Sequence, residues 1–89
     1  MKANILDFQI KCKSLSDREW QILFLIANGK TVSAIASLMF LSPNTIKAAI
    51  SVILRKLKVQ NRAEAVYLIT QYGFFECNKL LFDGFVNEI

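Results

Sequence analysis

The chain has 89 residues, 54% of them hydrophobic, with a mean hydropathy of +0.37 and a net charge of +4. One small domain of this length buries only ~60–65% of its unfolded surface, so this much apolar material calls for a second outlet, either self-association or a partner. With no histidine, three glycines and no nucleophile in a motif, the composition argues against an enzyme: no catalytic residue, cofactor or metal ligand is expected.

No apolar run approaches the ~20 residues of a membrane span. The N-terminus carries no signal-peptide pattern. Cys12 and Cys77 have no metal-ligand spacing, and both are expected as reduced thiols in a cytoplasm.

Residues 1–14 read as an N-terminal arm. Leu6, Phe8, Ile10 and Cys12 share one parity, and Asp7, Gln9, Lys11 and Lys13 share the other. Period two suggests a strand or extended arm with one apolar face. The same stretch also fits a short helix with Ile5, Phe8 and Cys12 on one side. Both readings stand at this point.

Residues 15–28 predict a helix. Ser16 and Glu19 form a capping box, and Leu15 with Trp20 a hydrophobic staple. Leu23, Phe24, Ile26 and Ala27 continue the apolar face, and Asn28-Gly29 ends it.

Residues 31–57 predict two helices and the corner between them. Thr31 caps the first and Ser42 the second, with Pro43 at the first helical position. The first buries Val32, Ile35, Ala36 and Met39; the second buries Ile46, Ile50, Ile53 and Leu57. Phe40-Leu41-Ser42 has the length of a helix-turn-helix corner. Burying the isoleucines turns Asn44, Lys47, Ala48, Ser51, Val52 and Arg55 outward, with Lys58 just beyond. A cationic outer face of this kind suits a DNA major groove.

The charge distribution agrees. Residues 1–29 sum to +1 and residues 63–89 to −3. Between them Lys30, Lys47, Arg55, Lys56, Lys58 and Arg62 stand with no acid, at +6. The helix pair thus lies in the one strongly basic third, a placement that counterion release from phosphates would reward.

Residues 61–73 predict another helix, with Asn61 as its cap, Ala65, Val66, Leu68, Ile69 and Tyr72 as its apolar rhythm, and Gly73 as its end. Arg62 sits against the helix dipole and should have a partner, Glu19, Asp17 or a phosphate. Residues 74–89 are dense in apolar side chains. Read as a helix, Leu81, Phe82, Phe85 and Ile89 share a face; read as extended, Leu80 to Phe82 could pair with the N-terminal arm. This extension is either a lid on the core or a dimerisation element.

Residues 15–73 resemble the LuxR/GerE-type helix-turn-helix domain. The matching pieces occur in order: Leu15-Ser16-x-Arg18-Glu19, Leu23-x-Leu25-Ile26-Ala27-x-Gly29, Ile35-Ala36 with Leu38, Leu41-Ser42-x-x-Thr45-Ile46-Lys47, Ile53-x-x-Lys56-Leu57-x-Val59 and Arg62-x-Glu64-Ala65. The resemblance implies an all-α, four-helix domain whose third helix reads the major groove. It places Lys47, Ala48 and Ser51 at bases, and Thr45, Lys56 and the start of the scaffold helix at Thr31 near phosphates. It also implies that the fourth helix, with Leu68 and Tyr72, makes a dimer contact. The chain departs from the family pattern at Thr31-Val32-Ser33-Ala34, where a more polar run is usual, and at Ala49, where histidine is frequent.

The expected function is therefore a cytoplasmic transcription regulator without an in-chain sensor. Its partners would be double-stranded DNA and a second copy, and no membrane. The expected DNA-binding set is Thr31, Asn44, Thr45, Lys47, Ala48, Ser51, Arg55, Lys56 and Lys58. The expected dimerisation set is Leu68, Tyr72, Leu81, Phe82 and Phe85. The alternative is a protein-interaction module of the same fold that pairs with a larger regulator.

Overall fold

The computed structural model describes residues 5–77 and 79–88. Among the described residues six α-helices follow one another: α1 Ile5–Cys12, α2 Asp17–Ala27, α3 Val32–Met39, α4 Pro43–Leu57, α5 Arg62–Gln71 and the single turn α6 Phe74–Cys77. A 3-10 segment, Lys79–Glu88, completes the described chain. The architecture is all-α, and α2 to α5 form the four-helix unit.

The starts of these four helices are set locally. Ser16, Thr31, Ser42 and Asn61 each accept a backbone N–H three residues on, so an orphan donor of the first turn is satisfied. The Ser16 cap is reciprocal, since Glu19 Oε1 also accepts from Ser16 N at 2.8 Å. The α3 and α4 axes meet at a bend of 106°, within the range of a helix-turn-helix. Among the described residues two that bear side chains adopt left-handed backbone: Phe40 (φ 58), which closes α3, and Lys58 (φ 55), which closes α4. That conformation costs such a residue roughly 1–2 kcal/mol, and here it lets the N–H groups of Leu41 and Val59 reach back to the last-turn carbonyls of Ala36 and Leu54.

The core is built from the expected stripes of α3 and α4, whereas α2 is rotated from its expected face: Ile22 and Leu25 turn fully inward, Phe24 and Ile26 are half-buried and Ala27 is exposed. Ile46, Ile50, Ile53 and Leu57 of α4 are buried, as are Ile35 and Ala36 of α3, while Val32 and Met39 are half-buried at its edge. Ile22, Leu23 and Leu25 of α2 and Ala65 and Ile69 of α5 complete it.

The described part of the N-terminal arm is helical over Ile5–Cys12, not a strand. The helical stripe wins because Phe8 and Cys12 can enter the core together, and the period-two set is then split. Leu6 and Ile10 point outward at 69% and 67% exposure, against 1% for Phe8. Phe8 stacks on Phe74 at a centroid distance of 6.0 Å and touches Tyr72 at 5.7 Å. Burial pushes the Cys12 thiol up to about 11, far from thiolate reactivity at neutral pH.

The C-terminal extension is also helical rather than extended. Its 3-10 period brings positions three apart onto one side, so Phe82 and Phe85 align. Phe82 is 2% exposed and stacks on Phe24 of α2 at 4.2 Å with rings 5° from parallel. Phe75 meets Trp20, Phe24 and Phe82 edge-on. Gln21 Nε2 donates to Leu81 O at 3.0 Å. Ten residues are long for a 3-10 run, and these anchors hold it in place. Ile89, expected on the same face, lies outside the described residues.

Candidate nucleic-acid interface

Burial of its isoleucine stripe fixes the rotation of α4 and with it the outward face. Asn44, Thr45, Lys47, Ala48, Ser51, Arg55 and Lys58 are all exposed, whereas Val52 is half-buried. Among the described residues no ion pair occupies Lys47, Arg55 or Lys58. Their charges therefore face solvent uncompensated.

The helix termini reinforce this field. The helix dipole places partial positive charge at each N-terminus, which acids in the first turn ordinarily offset. In α2, Asp17 and Glu19 do so, and in α5, Glu64 does. The first turns of α3 and α4 hold no acid. The two helices of the corner thus keep the positive end that attracts phosphate oxygens. At the other end of α4, Arg55 and Lys58 lie where cations suit the dipole, so they stabilise the fold whether or not DNA is present.

Not every expected residue is equally available. The Thr31 hydroxyl accepts from Ala34 N at 3.1 Å, and the Thr45 hydroxyl lies 2.9 Å from Ser42 Oγ. Both are exposed, but Thr31 is the cap of α3 and the Thr45 hydroxyl is paired with the Ser42 cap of α4.

Lys56 is engaged inside the domain. Its Nζ lies 2.8 Å from Glu19 Oε1 and donates to Ser14 O at 3.0 Å. The last turn of α4 is thereby fastened to the start of α2. Arg62, expected to pair with Glu19 or Asp17, does not: Glu19 is taken by Lys56, and Arg62 is exposed beside Ile26, Ala63 and Tyr67. The charge pattern marks Lys56 as one of six cations, and nothing in it reveals a partner 37 positions away.

The Glu19–Lys56 pair has a pH consequence. Burial alone would raise the Glu19 pKa. The hydrogen bonds from Lys56 and Ser16, with the charge of Lys56, outweigh burial and hold it below its ordinary 4.5. A depressed carboxyl contributes stability that is fully present above 4.5 and is lost as pH falls toward the lower folded value. Glu19→Gln should cost about 1–3 kcal/mol at neutral pH. Thermal melts taken down through pH 4.5 should show a smaller acid-induced loss for the variant than for the wild type. Equal losses in both would remove Glu19 from the acid response.

Two of the five expected dimer residues, Phe82 and Tyr72, are engaged within the chain. Phe82 sits in the core against Phe24, because a ring this apolar is better covered by α2 than by solvent or a rim contact. Tyr72 packs on Phe8 and Phe74 of its own chain. Leu68, Leu81 and Phe85 are half-buried and keep part of their surface outward.

Among the described residues no cluster of three metal-ligating side chains occurs, and no single helix is long and apolar enough to cross a membrane.

Comparison with known proteins matches this arrangement to a family. The family model for bacterial regulatory proteins of the luxR family matches residues 13–69. The transcriptional regulatory protein DesR of Bacillus subtilis is 37% identical over 70 residues, which cover 79% of this chain and 35% of DesR. The response regulator protein VraR of Staphylococcus aureus is 40% identical over 62 residues, covering 70% of this chain and 30% of VraR. The same figures hold for VraR of Staphylococcus epidermidis. The chain thus spans about a third of the length of these curated relatives. No solved structure matches it. The match over residues 13–69, which takes in the helix-turn-helix and its acid-free basic face, means that the chain belongs to the luxR family of bacterial regulatory proteins.

Proposed function

We propose that this chain is a cytoplasmic transcription regulator that binds double-stranded DNA sequence-specifically, with α4 entering the major groove. The observation that carries the reading is the outward face of α4. It presents Lys47, Arg55 and Lys58 without an acid or an ion pair, on the second helix of a helix-turn-helix. Lys47, Ala48 and Ser51 are the base-facing positions; Thr31, Asn44, Thr45, Arg55 and Lys58 lie where phosphates would run. Lys56 acts chiefly by holding α4 to α2. DesR, by name a transcriptional regulatory protein, supports the same direction. The active species is a homodimer on a two-fold site, with half-sites about one helical turn apart.

The direct test is an electrophoretic shift on the promoter region of its own gene, repeated across salt. Affinity should fall steeply with salt as counterions are released. Lys47→Ala should weaken binding by ~1–3 kcal/mol if the side chain reads a base. Helical content should stay unchanged, because Lys47 is exposed. Unaltered affinity in a folded variant would count against the groove assignment.

A second reading rests on Ala48 and Ser51, which offer bases little hydrogen bonding. Under it the chain is an interaction module that pairs with a larger regulator through its apolar surface. No shift at low salt, together with co-purification of such a regulator, would favour it.

A further inference from the structure

Where α1 turns into α2 the core does not close. Cys12, Leu15, Trp20 and Phe74 are each at least nine-tenths buried, yet what remains of their surface forms the floor of a cleft of about 300 Å³. Close packing ordinarily leaves few gaps larger than a water molecule. This one lies at the lower end of the size range of small-molecule sites. Gln9, Cys12 and Phe74 bring α1 and α6 to it, and all three lie outside residues 13–69, the part of the chain that the family model matches.

The rim carries both signs of charge. Gln9, Lys13 and Asp17 line the cleft and are exposed. Among the described residues no ion pair or side-chain hydrogen bond engages any of the three, so Lys13 and Asp17 do not neutralise one another. The backbone of the junction is satisfied within the chain: Ser14 N donates to Lys11 O and Leu15 N to Cys12 O. The groups left to meet a ligand are therefore one cation, one anion and one amide around an apolar floor.

These features select a chemical class. A bare anion drawn to Lys13 would meet Asp17, and a bare cation would meet the reverse. A wholly apolar molecule would strip water from both charges and return nothing. A small zwitterion with an apolar side chain satisfies rim and floor together. We propose that this cleft binds a free hydrophobic amino acid, with its carboxylate on Lys13, its ammonium on Asp17 and its side chain over Trp20 and Phe74. Ser14, between the rim lysine and the floor leucine, is the residue whose carbonyl Lys56 holds at 3.0 Å. The site thus adjoins the fastening of α4 to α2, and it stands whether or not the chain binds DNA.

Trp20 is the single tryptophan of the chain, so its emission reports on the floor. Titration of the full chain with L-leucine should change that emission saturably. The dissociation constant should be on the order of a millimolar, as suits a ligand of roughly nine non-hydrogen atoms. Shifts of the Trp20 indole and Gln9 side-chain amide protons over the same range give a second readout. Glycine, without the apolar part, should bind about fivefold more weakly or worse. Leucinamide lacks the carboxylate and isocaproate the ammonium, and each should bind about threefold more weakly, the scale of exposed charge pairs. Lys13→Gln should erase the difference between leucine and leucinamide, and Asp17→Asn the difference between leucine and isocaproate. Both positions are exposed, so both variants should fold. No saturable response in either readout would overturn the proposal. So would glycine binding as well as leucine, or ligand preferences that neither substitution alters.

Discussion

Phe82→Ala should lower the stability of this domain by about 3–5 kcal/mol, the cost of emptying an aromatic site in a core. Phe82 is 2% exposed, stacks on Phe24 at 4.2 Å and meets Phe75 edge-on at 5.9 Å. Its loss would open a cavity bounded by α2 and α6 and release the 3-10 segment from its principal anchor. A small domain has only ~5–15 kcal/mol of total stability, so the variant should melt far below the wild type or fail to fold. Deleting residues 79–88 should have at least as large an effect. An extension that served only a dimer would leave the truncated chain folded. A Phe82→Ala variant with wild-type melting would mean that the segment lies on α2 without supporting it.

Ile50→Ala should cost ~2–5 kcal/mol. Ile50 is 6% exposed and sits mid-stripe between Ile46 and Ile53, both at 0%, so no neighbouring side chain can swing in from solvent to fill the space. Ser51, one residue along on the outward face, is the internal control: Ser51→Ala should shift stability by only about 0.5 kcal/mol or less. Denaturant unfolding of the two variants reads the rotation of α4 directly. Comparable losses in both, or a larger loss at Ser51, would mean that the helix presents a different face to the core.

The four-helix unit was legible because its signals are local. Ser16, Thr31, Ser42 and Asn61 cap helices wherever they are placed, and a stripe such as Ile46, Ile50, Ile53 and Leu57 has one buried solution. The outward face of α4 follows from that stripe by geometry alone. The ends of the chain were not legible in the same way. Residues 5–12 satisfy both a period of two and a helical stripe, and the choice depends on whether Phe8 finds Phe74, which lies 66 positions away. In the C-terminal segment nearly every position is apolar, so periodicity cannot say which ring goes inward; Phe24 and Phe75 decide it for Phe82. At the candidate interface, Lys56 and Lys58 look alike as cations in a sequence. Only the approach of Glu19 and Ser14 to the last turn of α4 separates a fastening lysine from an outward one.

The boundaries of α4 bear on how the domain would meet a ligand. Ser42 and Pro43 set its first turn, Lys58 closes its last turn in left-handed backbone, and four buried side chains fix its rotation. The helix is specified from end to end by the chain's own contacts. A duplex meeting this surface would meet a rigid body. Basic segments that fold only on a nucleic acid lose several kcal/mol of their contact energy to ordering, and their binding carries a large negative heat-capacity change. Here that ordering entropy belongs to the folding of the domain. Association through α4 would therefore proceed with little loss of backbone freedom, and its unfavourable side would consist mainly of stripping water from the lysines and the phosphates.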